Sequence, residues 1–196
     1  MPANTNASGR ITDPPCCWLG ASRAPHYNAP VTALSVEVKR RVWSELLESV
    51  RGELASMTAS QKTTHAGATH EEAKPENSKD TRALEQTYLA RGLAVRVAEL
   101  RAGLKMLEAY AVKAFSGDDA IAITALVRVE KEDESLLDVL LAPFGGGAVL
   151  EVDGLRVRVV TPESPLGRAL LGRRSGDDTE IGGPGGKREL LVVDLC

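Results

Sequence analysis

A chain of 196 residues with a formal net charge of −3 allows one or two domains and excludes a polybasic nucleic-acid binder. Basic and acidic side chains are interspersed and no basic patch dominates, so a protein partner is easier to support than direct non-specific contact with nucleic acid. No apolar run approaches a membrane span. Two Phe, two Trp and three Tyr are few for one large core, which points to an elongated molecule with a small globular end.

Residues 1–35 are rich in Pro, Ser, Asn, Ala and Gly and show no apolar period. They read as a disordered tail or an extraneous extension, with Val36 as a candidate start. The tail lacks the basic start and apolar stretch of a secretory signal. Cys16-Cys17 follows a Pro-Pro pair, which argues against a lipid anchor, and three cysteines make no disulfide framework. A reducing cytoplasm is the expected setting.

From Val36 the pattern turns helical. Leu46, Val50, Leu54 and Met57 recur at spacings of four, four and three, and Trp43 and Leu47 widen the stripe. A second periodic run follows in Leu89, Leu93, Val97, Leu100, Leu104 and Leu107, a heptad seam over its last five members. Two amphipathic helices in succession predict an antiparallel coiled-coil hairpin over 36–114. Helix one is expected over 36–69 and helix two over 77–114, each about 50 Å long. The tip between them, residues 70–80, is polar and acidic: His70-Glu71-Glu72-Ala73-Lys74-Pro75-Glu76-Asn77-Ser78-Lys79-Asp80. Acidic residues at such a turn are ordinarily solvated surface.

Ser116-Gly117-Asp118-Asp119 breaks the pattern, and residues 116–196 read as a second domain. Strands are expected at 122–129 and 135–142, separated by the charged turn Lys131–Glu134. A hairpin is expected at 149–160 around Asp153-Gly154. Ser164-Pro165-Leu166-Gly167-Arg168-Ala169-Leu170 then writes a short helix, with proline at its entry and Gly172 as its αL stop. A closing hairpin runs through Gly182-Gly183-Pro184-Gly185-Gly186 into 188–195. The whole is an α+β protein: a helical hairpin, then a small antiparallel β domain with one short helix.

The C-terminal string resembles a signature of the bacterial GreA/GreB-type transcription elongation (transcript cleavage) factors. That family shows a Ser-Pro, a small residue and Arg, a Leu, Gly-Lys, Gly-Asp and a Pro-Gly-Gly hairpin. Ser164-Pro165, Arg168, Leu170, Gly172, Gly176-Asp177 and Pro184-Gly185-Gly186 fill those places, with Arg173 where the family usually has Lys. The resemblance implies an FKBP-like fold for residues 116–196 and a divergent family member. It also implies RNA polymerase as partner, with the nascent RNA 3′ end met only inside the polymerase, and a monomer acting without a membrane.

The resemblance extends to the tip. Gre factors carry there a motif of the form Asp-Leu-Lys-Glu-Asn-Ala-Glu-Tyr, whose first two acidic residues help bind a catalytic Mg²⁺ inside RNA polymerase. Glu72-Ala73-Lys74-Pro75-Glu76-Asn77 resembles it if Pro75 is a one-residue insertion. Glu72 and Glu76 are then the implied metal carboxylates, with Glu71 in reserve, and Mg²⁺ is held jointly with polymerase and not by this chain alone. Arg168, Arg173 and Arg174 are the candidate polymerase-binding residues. The implied activity is stimulation of the polymerase's own cleavage of backtracked RNA, the chain being no enzyme itself. The departures at Glu72, Pro75, Lys79 and Asp80 leave open a regulator or inhibitor that occupies the polymerase's secondary channel without promoting cleavage.

Other motifs carry less. His65 and His70 have no second pair at zinc spacing. The glycine-rich run at 182–187 lacks the first glycine and the Ser/Thr of a phosphate loop. A prolyl isomerase would need an aromatic-lined pocket, and from Phe115 onward the aromatics are Phe115 and Phe144.

Overall fold

The computed structural model describes residues 33–69, 81–183 and 186–196. The acidic tip at 70–80 and the tail at 1–32 therefore lie outside the described residues. α1 spans Val36–Thr69 and α2 spans Thr81–Ala109. Val42, Trp43, Leu46 and Val50 of α1 are buried, as are Val97, Leu100 and Leu107 of α2, so the periodic residues near the base do face inward. Two ion pairs cross between the helices, Arg51 to Glu108 at 2.9 Å and Arg96 to Glu53 at 2.7 Å, both exposed. Such pairs set register more than stability.

Two helical expectations are corrected. Leu89, which opens the apolar run ahead of its heptad seam, is 64% exposed. Beyond Met57 the sequence of α1 is rich in Ala, Ser and Thr and holds no large apolar side chain. α2 also stops at Ala109 and does not continue to residue 114. The Tyr110 N–H closes a tight turn on the Leu107 carbonyl. Beyond it, the Lys39 ammonium donates to the Lys113 carbonyl and sits 4.7 Å from the centroid of the Phe115 ring. The chain thus leaves the helix to be held against the start of α1.

The C-terminal part is a six-stranded sheet: β1 Leu126–Lys131, β2 Leu136–Leu141, β3 Val149–Val152, β4 Leu155–Val160, β5 Asp178–Gly183 and β6 Gly186–Leu195. Their order is β3-β4-β2-β1-β6-β5. The sheet is mixed, which corrects the all-antiparallel expectation: β2 and β4 run parallel, with Asp138 opposite Val157 and Leu141 opposite Val160. The reason is topological. The loop after β2 carries β3 one place past its neighbour to the sheet edge, and the tight Asp153-Gly154 turn, with φ of 53° and 79°, brings β4 back between them. β1 begins at Leu126, later than expected, because Thr124 sits at φ 78° and Ala125 closes a turn onto Ala122.

Period-two alternation splits the sheet into two apolar faces. Leu126, Leu140, Leu155, Val157 and Val159 pack with Val42, Leu46 and Leu100 of the hairpin base. Val127, Val129, Val139, Leu141 and Val192 pack on the opposite side with Ile121 and Leu170, the latter from α3, Pro165–Leu170. One charged pair interrupts the hairpin-side face. Arg128 and Asp138, opposite each other on β1 and β2, form a two-pronged bond at 2.7 and 3.0 Å with side chains 5% and 11% exposed.

Candidate functional site

α3 is built by its cap. The Ser164 hydroxyl accepts the Gly167 N–H at 3.0 Å and donates to the Thr161 carbonyl at 2.7 Å, while Pro165 takes the first turn, where no N–H is needed. Gly167 is required by space: a Cβ there would run into the Thr161 carbonyl. Leu170 is buried under the helix, and Thr179 on β5 donates to the Ala169 carbonyl at 2.9 Å. Gly172, at φ 79°, ends α3 and sends the chain into a loop tied down on two sides. Its N–H donates to the Ile121 carbonyl, the Ile121 N–H returns to Arg173, and the Gly176 N–H donates to Val192.

That scaffold presents the three arginines singled out from the sequence. Arg168 lies in the last turn of α3, and Arg173 and Arg174 lie in the loop that follows; all three are exposed. None has a side-chain ion pair among the described residues. The Arg174 N–H donates to Asp177 at 2.9 Å. Nearby, Asp119 accepts the Ser116 N–H at 2.8 Å and its hydroxyl at 2.9 Å. Those hydrogen bonds, with a smaller contribution from the Arg174 charge, hold the Asp119 carboxyl below its ordinary value.

Beside α3 lies a cleft of about 940 Å³ reaching from the hairpin base to the sheet. Leu137, Leu166, Ile181 and Leu190 line it, and Lys131, Arg158 and Arg188 add positive charge. The sequence reading missed these three cations. They come from β1, β4 and β6, and the alternation of Arg156 and Arg158 with the buried Leu155, Val157 and Val159 was the one local signal.

Glu71, Glu72 and Glu76, the carboxylates expected to hold metal, lie outside the described residues, as do His70, Cys16 and Cys17. Among the described residues no group of three or more His, Cys, Asp or Glu could hold a metal ion. The described chemistry comprises exposed guanidinium groups and an apolar cleft edged by cationic side chains, next to a two-helix arm.

This arrangement defines an α+β arm-and-platform protein. Residues 151–195 match the family described as "Transcription elongation factor, GreA/GreB, C-term". The transcription elongation factor GreA of Beijerinckia indica subsp. indica is 29% identical over 103 residues, 52% of this chain and 60% of that protein. The aligned part thus spans about three fifths of the relative's own length. Among solved structures, GreA factor homolog 1 (Gfh1) of Thermus thermophilus is 20% identical, covering 76% of this chain and 94% of that one with a TM-score of 0.34. Gfh1 of Thermus aquaticus is 22% identical, covering 81% and 94%, with a TM-score of 0.34. The likeness to the GreA/GreB C-terminal domain falls on residues 151–195, the stretch that holds the capped α3 and its arginines.

Proposed function

We propose that the chain is a transcription elongation factor that binds RNA polymerase through its secondary channel and stimulates cleavage of backtracked RNA. The observation that carries this reading is the attachment of a GreA/GreB C-terminal domain to a helical hairpin whose tip holds Glu71, Glu72 and Glu76. Arg168, Arg173 and Arg174 dock the platform on the polymerase, which lies in the cytoplasm, and the hairpin enters the channel as a monomer's single arm. Glu72 and Glu76, with Glu71 in reserve, would hold Mg²⁺ jointly with the polymerase. The donor set is carboxylate alone, which suits a hard cation that keeps most of its water and phosphate ligands. When bound, Mg²⁺ supplies an activated water and charge stabilisation for phosphodiester hydrolysis. Glu76 follows Pro75, and the carboxylates supply negative charge and orient ligands, while the reacting bond stays in the polymerase. The chain is therefore no enzyme by itself.

The altered tip favours a second reading. Glu72 has a longer arm than the family's Asp, Pro75 stands as an insertion in the motif, and Lys79-Asp80 replaces an acidic-aromatic pair. A regulator or inhibitor that fills the channel without promoting cleavage would have these features. RNA cleavage in a stalled, backtracked complex of the cognate polymerase separates the two. Stimulation by wild type and its loss in Glu72→Ala/Glu76→Ala supports the first reading. Polymerase binding with no stimulation by wild type supports the second.

A further inference from the structure

The hairpin meets the sheet mostly through aliphatic side chains, and such contact is non-directional. One contact is shaped differently. The β2–β3 loop, Pro143-Phe144-Gly145-Gly146-Gly147, lays the Phe144 ring on α2 at Gly103, where a Cβ would stand only 2.4 Å from the ring's Cδ1. Gly145, at φ 87°, comes so close to α1 that a Cβ would stand 2.9 Å from Leu46 Cδ1. Gly146 is equally tight against the Thr161 side chain, at 2.9 Å from its Cγ2. One loop thus grips both helices and the strand end that leads to α3. Gly103 is buried within a helix, where glycine is disfavoured on its own account, so the notch is a local weakness matched by a tertiary contact.

We infer that Phe144, seated in the Gly103 notch, is a positioning residue that fixes the angle of the hairpin on the C-terminal sheet and so sets where the tip lands. This rests on the channel-factor reading for its functional consequence, but not for its geometry. From Leu46 to Thr69 α1 runs ~35 Å, so a ~5° change at the base moves the far end by ~3 Å. Misplacement of reacting groups by about 1 Å costs up to about 100-fold in rate. An aliphatic interface alone would tolerate that tilt, whereas a ring wedged against helix backbone does not.

The test has two arms. In the full chain, with Cys16, Cys17 and Cys196 changed to alanine, spin labels at Ser60→Cys and Glu163→Cys report the arm-to-platform distance. Wild type gives one narrow distribution, while Phe144→Ala and Gly103→Ala each broaden it or displace it by ~3 Å or more. An unchanged distribution in folded Phe144→Ala overturns the inference; if that variant does not fold, Phe144→Leu and Gly103→Ala decide by the same criterion. In backtracked complexes, Phe144→Ala lowers the saturating cleavage rate by about tenfold or more, while the half-saturating concentration moves less than about threefold. Phe144→Tyr restores the rate. A displaced arm with an undiminished saturating rate overturns the positioning role. Absence of cleavage with wild type defeats the channel-cleavage reading instead, and leaves the distance arm to decide the geometry.

Discussion

Replacing Gly103 by alanine is a test with a counterintuitive sign. In an ordinary helix interior the change stabilises by about 1 kcal/mol, through helix propensity. Here the new methyl meets the Phe144 ring, which must leave its seat. Overpacking of this kind costs about 1–3 kcal/mol. The net expectation is destabilisation of up to about 2 kcal/mol, the overpacking cost exceeding the propensity gain. In a Phe144→Ala background the obstruction is gone, and the same Gly103→Ala change becomes neutral or stabilising by up to about 1 kcal/mol. The coupling between the two positions is therefore about 2 kcal/mol, well outside the additivity of independent sites. Urea unfolding of the four chains, read as midpoint shifts at constant slope, measures it. Gly103→Ala stabilising wild type, or effects that add within about 0.5 kcal/mol, would refute the notch argument.

Three further outcomes follow from the same structure. Asp138→Ala removes the two-pronged carboxylate bond to the buried Arg128 and should destabilise by about 1–3 kcal/mol, with a lower thermal unfolding midpoint as its readout. Ser164→Ala removes the α3 cap and should cost about 1 kcal/mol, with faster amide exchange at Gly167 as its local sign. The Asp119 carboxyl titrates below its ordinary 3.8 because the charged form is hydrogen-bonded by Ser116. Its stabilising contribution is thus present above that value and fades as pH falls through the lower, folded value. NMR titration should show the midpoint rising in Ser116→Ala, though not fully, since the Ser116 N–H still donates.

The parts that local chemistry specifies were legible. The apolar period from Val36, though it fades beyond Met57, preceded an α1 with the expected bounds, Ser164-Pro165 and Gly172 gave α3, and Asp153-Gly154 gave the β3–β4 hairpin. What depends on distant partners was not. The parallel pairing of β4 with β2 is chosen by a loop that skips a strand position, and alternation along either strand is blind to it. Leu89 opens the apolar run on paper but stays exposed. α2 ends where Lys39, dozens of residues earlier, takes the Lys113 carbonyl. Gly103 reads in sequence as a flaw in a helix, and only Phe144 explains it. The arginines at 168, 173 and 174 stand out in the sequence because they adjoin the Ser-Pro motif, while Lys131, Arg158 and Arg188 come to one cleft only when the sheet forms. Glu71, Glu72 and Glu76 rest on sequence resemblance, since the tip lies outside the described residues.

The claim shared by both functional readings is that the tip reaches the polymerase's catalytic centre. A photo-crosslinking residue at Glu71, in the full chain bound to a backtracked complex of the cognate polymerase, tests it directly. Crosslinks to the protein around the catalytic metal and to the RNA 3′ end are the predicted result. Crosslinks confined to the polymerase's outer surface, in a complex that forms stably, would contradict the account.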